Sequence, residues 1–173
     1  MAALDCLMRR RSVRSYTGEP VTREELEKIL VAGLIGPTGK GKKPWKFVVV
    51  TNPEKLEALS SMRRPAPGAF KTAGAAIAVF GNPSVSDTWV EDCAVAMENM
   101  HLAADDLGLG SVWIQGRLRE ADAGGSASDR ARAVLGVESG LELEAVLLVG
   151  RIEHHPPFHS EADADWSFVS WDD

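Results

Sequence analysis

The chain has 173 residues, 45% of them hydrophobic and 25% charged, a size and balance that suit one soluble globular domain with a sizeable core. Nineteen Lys and Arg against 25 Asp and Glu give a formal net charge of -6. That balance argues against nucleic acid as the main partner, because binding a phosphate backbone needs a broad basic face. No apolar run approaches the roughly 18 residues that span a bilayer, and the first seven residues are too short to serve as a secretory signal.

Leu4, Leu7 and Met8 have the spacing of a short amphipathic helix that runs into Arg9-Arg10-Arg11-Ser12-Val13-Arg14. Four of the nineteen cations fall within these six residues, and like charges at that density repel one another unless an anion is close. The stretch is too short for a disordered nucleic-acid arm, so a single bound phosphate is its expected counterpart. Tyr16-Thr17-Gly18-Glu19-Pro20 has turn chemistry. Thr22 followed by Glu25 forms a capping box, opening a helix with Leu26, Ile29, Leu30, Gly33 and Leu34 on one face. It stops at Gly36-Pro37.

After a loop rich in Gly and Lys, the β-branched run Phe47-Val48-Val49-Val50 reads as a buried strand. Asn52-Pro53 starts a helix with Leu56, Leu59 and Met62 on its apolar face. Residues 63–68 form a loop with two prolines, and 75–80 a second strand ended by Gly81-Asn82-Pro83. The longest helix is predicted over residues 87–107, where Val90, Cys93, Ala94, Met97, His101, Ala104 and Leu107 repeat at three and four residues. Ala96, Met100 and Ala103 extend its apolar character to other faces, and Gly108 is placed to stop it. A strand over 111–114, a short helix ending at Leu135 and a strand over 145–149 follow. Helices alternate with strands, so a layered α/β or α+β domain is expected. From His154 onward no periodicity remains, and a structureless end of that length is expected to fold over another surface.

Gly36-Pro37-Thr38-Gly39-Lys40-Gly41-Lys42 matches the spacing of a phosphate-binding P-loop. Its context does not: Lys43 stands where Ser or Thr should hold magnesium, and the motif follows a helix and precedes a strand, the reverse of the required order. Lys40, Lys42, Lys43 and Lys46 read either as a solvated basic loop or as an attraction for an anionic cofactor or substrate. His154, His155 and His159 lack the fixed spacing of zinc motifs, two prolines intervening, and read as a surface tail with no metal. His101, within an apolar stripe, reads as a hydrogen-bonded core histidine. Cys6 and Cys93 make no disulfide framework, and two reduced thiols point to the cytoplasm.

The order of these pieces is more specific than any one of them. An R-R-S-x-R stretch follows a short helix, a P-[ST]-x-x-G-x-x-P-W loop precedes a strand, and a long Ala-rich helix runs straight into G-L-G-S-x-W-I. In this order, across residues 4–152, the chain resembles the FMN-dependent nitroreductase family in its small, single-domain form. The resemblance implies an α+β fold with a mixed central sheet flanked by helices, one domain over residues 1–173, and an intertwined homodimer with two flavin sites in the subunit interface. It also implies FMN as cofactor, NAD(P)H as hydride donor and a small acceptor such as a nitroaromatic or a quinone. No side chain need act as nucleophile or base, since the chemistry takes place on the flavin.

Carried over from the family, Arg10, Arg11, Ser12 and Arg14 look like the contacts to the FMN phosphate and ribityl chain. Arginine forks and a neutral hydroxyl donor suit that role. Pro37, Thr38 and Gly39, with Gly41 and Lys43, resemble the loop that reaches the flavin from the partner subunit. Ile114, Gln115 and Gly116 look like the segment against the isoalloxazine, where backbone N–H groups can meet N5 or O4. Two features depart from the family pattern. Gly41 and Lys43 replace an Asn and a Gln that address the ring, and Pro156-Pro157-Phe158-His159-Ser160 offers only a histidine where a basic residue stands near the phosphate. These losses support an alternative, a non-catalytic dimer that binds a flavin or another anionic ligand.

Overall fold

In the computed structural model, which describes residues 3–172, five α-helices and four strands alternate along the chain. They are α1 (Ala3–Arg9), α2 (Arg23–Leu34), β1 (Trp45–Val50), α3 (Pro53–Ser60), β2 (Ala75–Gly81), α4 (Trp89–Asp106), β3 (Gly110–Gln115), α5 (Ala127–Leu135) and β4 (Glu142–Gly150). Local chemistry sets most boundaries. At α2 the Thr22 hydroxyl accepts from the Glu25 N–H at 3.3 Å, and the Glu25 carboxylate accepts from the Thr22 N–H at 2.8 Å. The Asn52 and Ser126 side chains cap α3 and α5 in the same manner, and Gly136 ends α5 in the left-handed region at φ 66°.

The strands form one sheet in the order β1-β2-β4-β3. Central strands β2 and β4 are covered on both faces, which is why their sequences are continuously apolar. Side chains of Ala75, Ile77 and Val79 join Leu26 and Ile29 of α2 and Cys93, Met97 and Met100 of α4 in one core layer. Ala76, Ala78 and Phe80 join Leu56 and Leu59 of α3 and Ala127 and Ala131 of α5 in the other. Burying a large aliphatic or aromatic side chain in these layers contributes about 1.5–3 kcal/mol each.

The α+β class is as expected, with two corrections inside it. All three strand pairings are antiparallel, and the parallel component expected of a mixed sheet is reduced to a single bridge between Ser12 and Ser111 on the outer edge of β3. The run 47–50 lies in an edge strand and is only partly covered, with Val50 alone among the β1 residues fully buried. A β-branched run reports strand propensity, and the number of neighbours a strand acquires is decided elsewhere. The segment 160–172 is exposed throughout, with two 3-10 turns at Glu161–Asp163 and Trp166–Phe168. Trp166, Phe168 and Trp171 are 66%, 88% and 74% exposed.

Candidate functional site

The polypeptide leaving α1 is laid along the start of β3. The Val13 N–H donates to the Ser111 carbonyl at 2.8 Å, and the Tyr16 hydroxyl donates to the Val13 carbonyl at 2.7 Å. A Cβ on Gly110 would stand 2.4 Å from Ile152 and 3.0 Å from Val13, so only glycine admits this close approach. Val13 and Tyr16 are buried, while Ser12 before them and Arg14 between them face out. Burial also pushes the Tyr16 hydroxyl well above its ordinary pKa, leaving it a neutral donor.

Helix α4 supplies countercharges to this arm. Arg9 Nε lies 3.6 Å from Asp105, and Arg10 Nε lies 3.4 Å from Glu98. Arg10 Nη1 also donates to His101 Nε2 at 3.3 Å, and Arg11 Nη1 to the Pro157 carbonyl. Glu98, His101 and Asp105 follow one another at three and four residues and therefore share a face of α4. Part of the repulsion among the arginines is thus relieved inside the chain. Arg14 makes no ion pair among the described residues.

The other end of β3 carries Ile114, Gln115 and Gly116. Since Ser111 faces its carbonyl away from β4, strand alternation turns the backbone groups of Trp113 and Gln115 to the same open edge. The Gln115 carbonyl accepts there from Arg63 Nη1 at 3.0 Å. Gln115 Oε1 accepts from Trp113 Nε1 at 2.7 Å, and Ile114 is buried in the core. Gly116 differs from expectation. Its N–H, with that of Arg117, donates to the Glu144 carbonyl at 3.0 and 2.9 Å, so the backbone N–H left facing outward is that of Gln115. The same alternation that turns Gln115 outward turns Gly116 toward β4; on its β2 side β4 carries a bulge, where Val79 pairs with Ala145 and Phe80 with Leu143, leaving Glu144 as the extra residue. The Glu144 side chain is 4% exposed; burial raises its pKa, opposed by Gln115 and Arg117.

The loop from Pro37 to Lys43 is held at the opposite end of α4. The Gly39 N–H donates to Asp92 at 2.8 Å, the Thr38 hydroxyl accepts from the Lys43 N–H at 3.2 Å, and a Cβ on Gly39 would lie 2.4 Å from the Thr88 hydroxyl. Lys40, Gly41 and Lys43 have φ of 56°, 69° and 48°, a left-handed conformation that strains the two lysines. Lys40, Lys42 and Lys43 are exposed, and Lys46 pairs with Glu138 at 2.8 Å. Asp92 precedes Glu98 by six residues, about 9 Å along the helix.

The fold therefore brings Arg10, Arg11, Ser12 and Arg14 to one end of the β3 edge and Ile114, Gln115 and Gly116 to the other. Among the described residues no hydrogen bond or ion pair joins the loop at 37–43 to either group. His155 pairs with Asp105 at 2.7 Å, His159 stands 3.6 Å from Asp163, and His154 is exposed. Glu98, Asp105 and Arg63 were not anticipated as neighbours of the site. The spacing of Glu98 and Asp105 around His101 was readable; nothing local marks the reach of Arg63 to β3.

A three-layer α+β protein with a cationic arm laid along an edge strand is the class that this architecture defines. The sequence profile of the nitroreductase family matches residues 7–64 and 59–151, and the chain belongs to that family. A protein of Archaeoglobus fulgidus with the provisional name NADH dehydrogenase/NAD(P)H nitroreductase is 34% identical over 170 residues, covering 92% of this chain and 90% of its own. An FMN-dependent nitroreductase from Clostridium difficile R20291 is also 34% identical; it superposes with a TM-score of 0.92 over 98% of this chain and 99% of its own. A protein from Desulfovibrio desulfuricans with the provisional name nitroreductase, solved in complex with FMN, shares the fold at 24% identity and a TM-score of 0.77, over 98% of this chain and 95% of its own.

Proposed function

We propose that the protein is an FMN-dependent oxidoreductase, acting in the cytoplasm as a homodimer, that passes a hydride from NAD(P)H to a small acceptor such as a nitroaromatic or a quinone. The observation that carries this reading is the open edge of β3. An exposed cation and a hydroxyl lie at one end, at Arg14 and Ser12, and the outward N–H of Gln115 lies at the other. Four residue steps of strand lead from Ser111 to Gln115, about 13 Å, room for an elongated ligand with an anionic end and a planar end.

FMN fits these donors. Arg10, Arg11, Ser12 and Arg14 would hold its phosphate and the adjoining ribityl hydroxyls, with arginine forks matching the phosphate oxygens. Ile114, Gln115 and Gly116 would lie against the ring, Gln115 through its N–H. Pro37, Thr38, Gly39, Gly41 and Lys43, being remote from both groups within one subunit, would reach the site from a second copy. Bound there, FMN supplies the hydride chemistry linking NAD(P)H to the acceptor. The protein binds, orients and shields the ring, and the buried Glu144 behind Gln115 and Gly116 keeps that strand end fixed. The uncovered tryptophans and phenylalanine of residues 166–171 support the dimer, since large apolar side chains left in water favour a covering partner.

The test is optical. A purified protein with flavin absorbance near ~450 nm that bleaches on adding NADH or NADPH supports the enzyme. Flavin retained without bleaching supports the non-catalytic alternative. Arg14→Ala is expected to lower FMN retention through gel filtration by at least about tenfold, as loss of a charge-assisted contact requires. Unchanged flavin content would remove Arg14 from the site.

A further inference from the structure

We propose that His101, together with Glu98, is a positioning residue for the phosphate end of the flavin site, holding the Arg10 guanidinium in the orientation in which it meets the anion. This inference rests on the reading of the arm as a phosphate site. An arginine side chain has several rotatable bonds, and an unheld one loses that freedom on binding an anion. Arg10 is held at two of its three nitrogens, Nε by Glu98 at 3.4 Å and Nη1 by His101 at 3.3 Å. Nη2 makes no hydrogen bond among the described residues and is left for a ligand.

The geometry also decides the state of the ring. A guanidinium can only donate, so His101 Nε2 must accept, and the neutral ring carries its proton on Nδ1. Nδ1 then donates to the Ser111 hydroxyl at 2.6 Å. Ser111 is the residue whose backbone pairs with Ser12 and Val13. One residue of β3 thus fixes both the path of the arm and, through His101, the direction of Arg10. The ring is 2% exposed, and its burial together with the adjacent Arg10 lowers its pKa to about 4, which keeps it in the accepting form at neutral pH. A core histidine with a packing role alone would need neither contact.

The experiment compares FMN with riboflavin, which lacks the phosphate, by titrating flavin fluorescence against flavin-free full-length protein. His101→Leu is expected to weaken FMN about tenfold and leave riboflavin within about twofold. His101→Gln, which keeps an acceptor near the Nε2 position, is expected to recover FMN affinity to within about threefold. In an Arg10→Gln background, His101→Leu is expected to add nothing. Equal weakening of FMN and riboflavin would mean a loosened fold and overturn the proposal, as would an undiminished effect in the Arg10→Gln background. If Arg10→Gln itself leaves FMN affinity unchanged, or the wild-type chain binds no FMN, the underlying phosphate reading fails and the proposal with it. If Arg10→Gln weakens FMN while His101→Leu does not, only the positioning role is lost.

Discussion

His101 shows how burial and a fixed cation tune one side chain. Its pKa falls from the ordinary 6.5 to about 4, with burial the larger cause and Arg10 the second. The folded state therefore holds the ring neutral where the unfolded chain would protonate it, and stability must decline as the pH falls through the window from about 6.5 to about 4. The full effect is on the order of 3 kcal/mol, from 1.36 kcal/mol per pKa unit. Urea unfolding at pH 7 and pH 5 should show about 2 kcal/mol of this loss in the wild type and much less in His101→Gln; the same loss in both would assign the pH dependence to other groups. Cys93 is a second residue set by its surroundings. Burial, with Glu144 and Asp92 adding to it, pushes the thiol up to about 12, so it stays protonated and unreactive. Titration of the native protein with an aromatic disulfide should find one fast thiol, the half-buried Cys6, and two after denaturation. Fast reaction of both would contradict the burial of Cys93 in the α4 layer.

At the scale of elements, helix starts were legible because their signals are local. The Thr22–Glu25 box and the Asn52 start before Pro53 each involve groups within three residues of one another, whereas the Ser126 cap of α5, inside a stretch that reads as a loop, was not legible. Thr22→Ala removes an accepted hydrogen bond at the start of α2 and should cost about 1 kcal/mol, a fall of about 2–4 °C in Tm by calorimetry. No measurable change would mean that α2 is held by its packing on α4 alone. Strands were legible as strands, but their places were not. The valine run of β1 reads as buried yet lies at the sheet edge, while the alanine-rich run of β2, which reads only as a strand, is central. Helix α4 concealed polar work within an apolar stripe, since Asp92, His101 and Asp105 are buried there to hold the loop at 39, the arm and the tail.

At the scale of the whole molecule, two surfaces stay open in one chain. One is the edge of β3; the other is the tail, whose segment 160–172 is exposed throughout. The proposed dimer accounts for both. Sedimentation equilibrium should find the full-length protein dimeric and a chain ending at residue 159 mainly monomeric, with the ellipticity of the body retained. A truncated chain that stays dimeric would place the interface on the helices and leave the tail without that role.

The sequence by itself determined the number and kind of elements, the starts of α2 and α3, the class of fold and the family. It also singled out the arginine stretch, because each of these depends on residue type, short spacing or linear order. Tertiary structure decided which strand became an edge, which N–H of the Gln115-Gly116 pair stayed outward, and what the arginines face before any ligand arrives. Arg10 and His101 are 91 residues apart, Arg63 and Gln115 are 52 apart, and His155 and Asp105 are 50 apart. Contacts of that separation form only when sheet and helices close around a common core. Their energy comes from burial and complementary charge at the meeting point, and no local pattern along the chain records it.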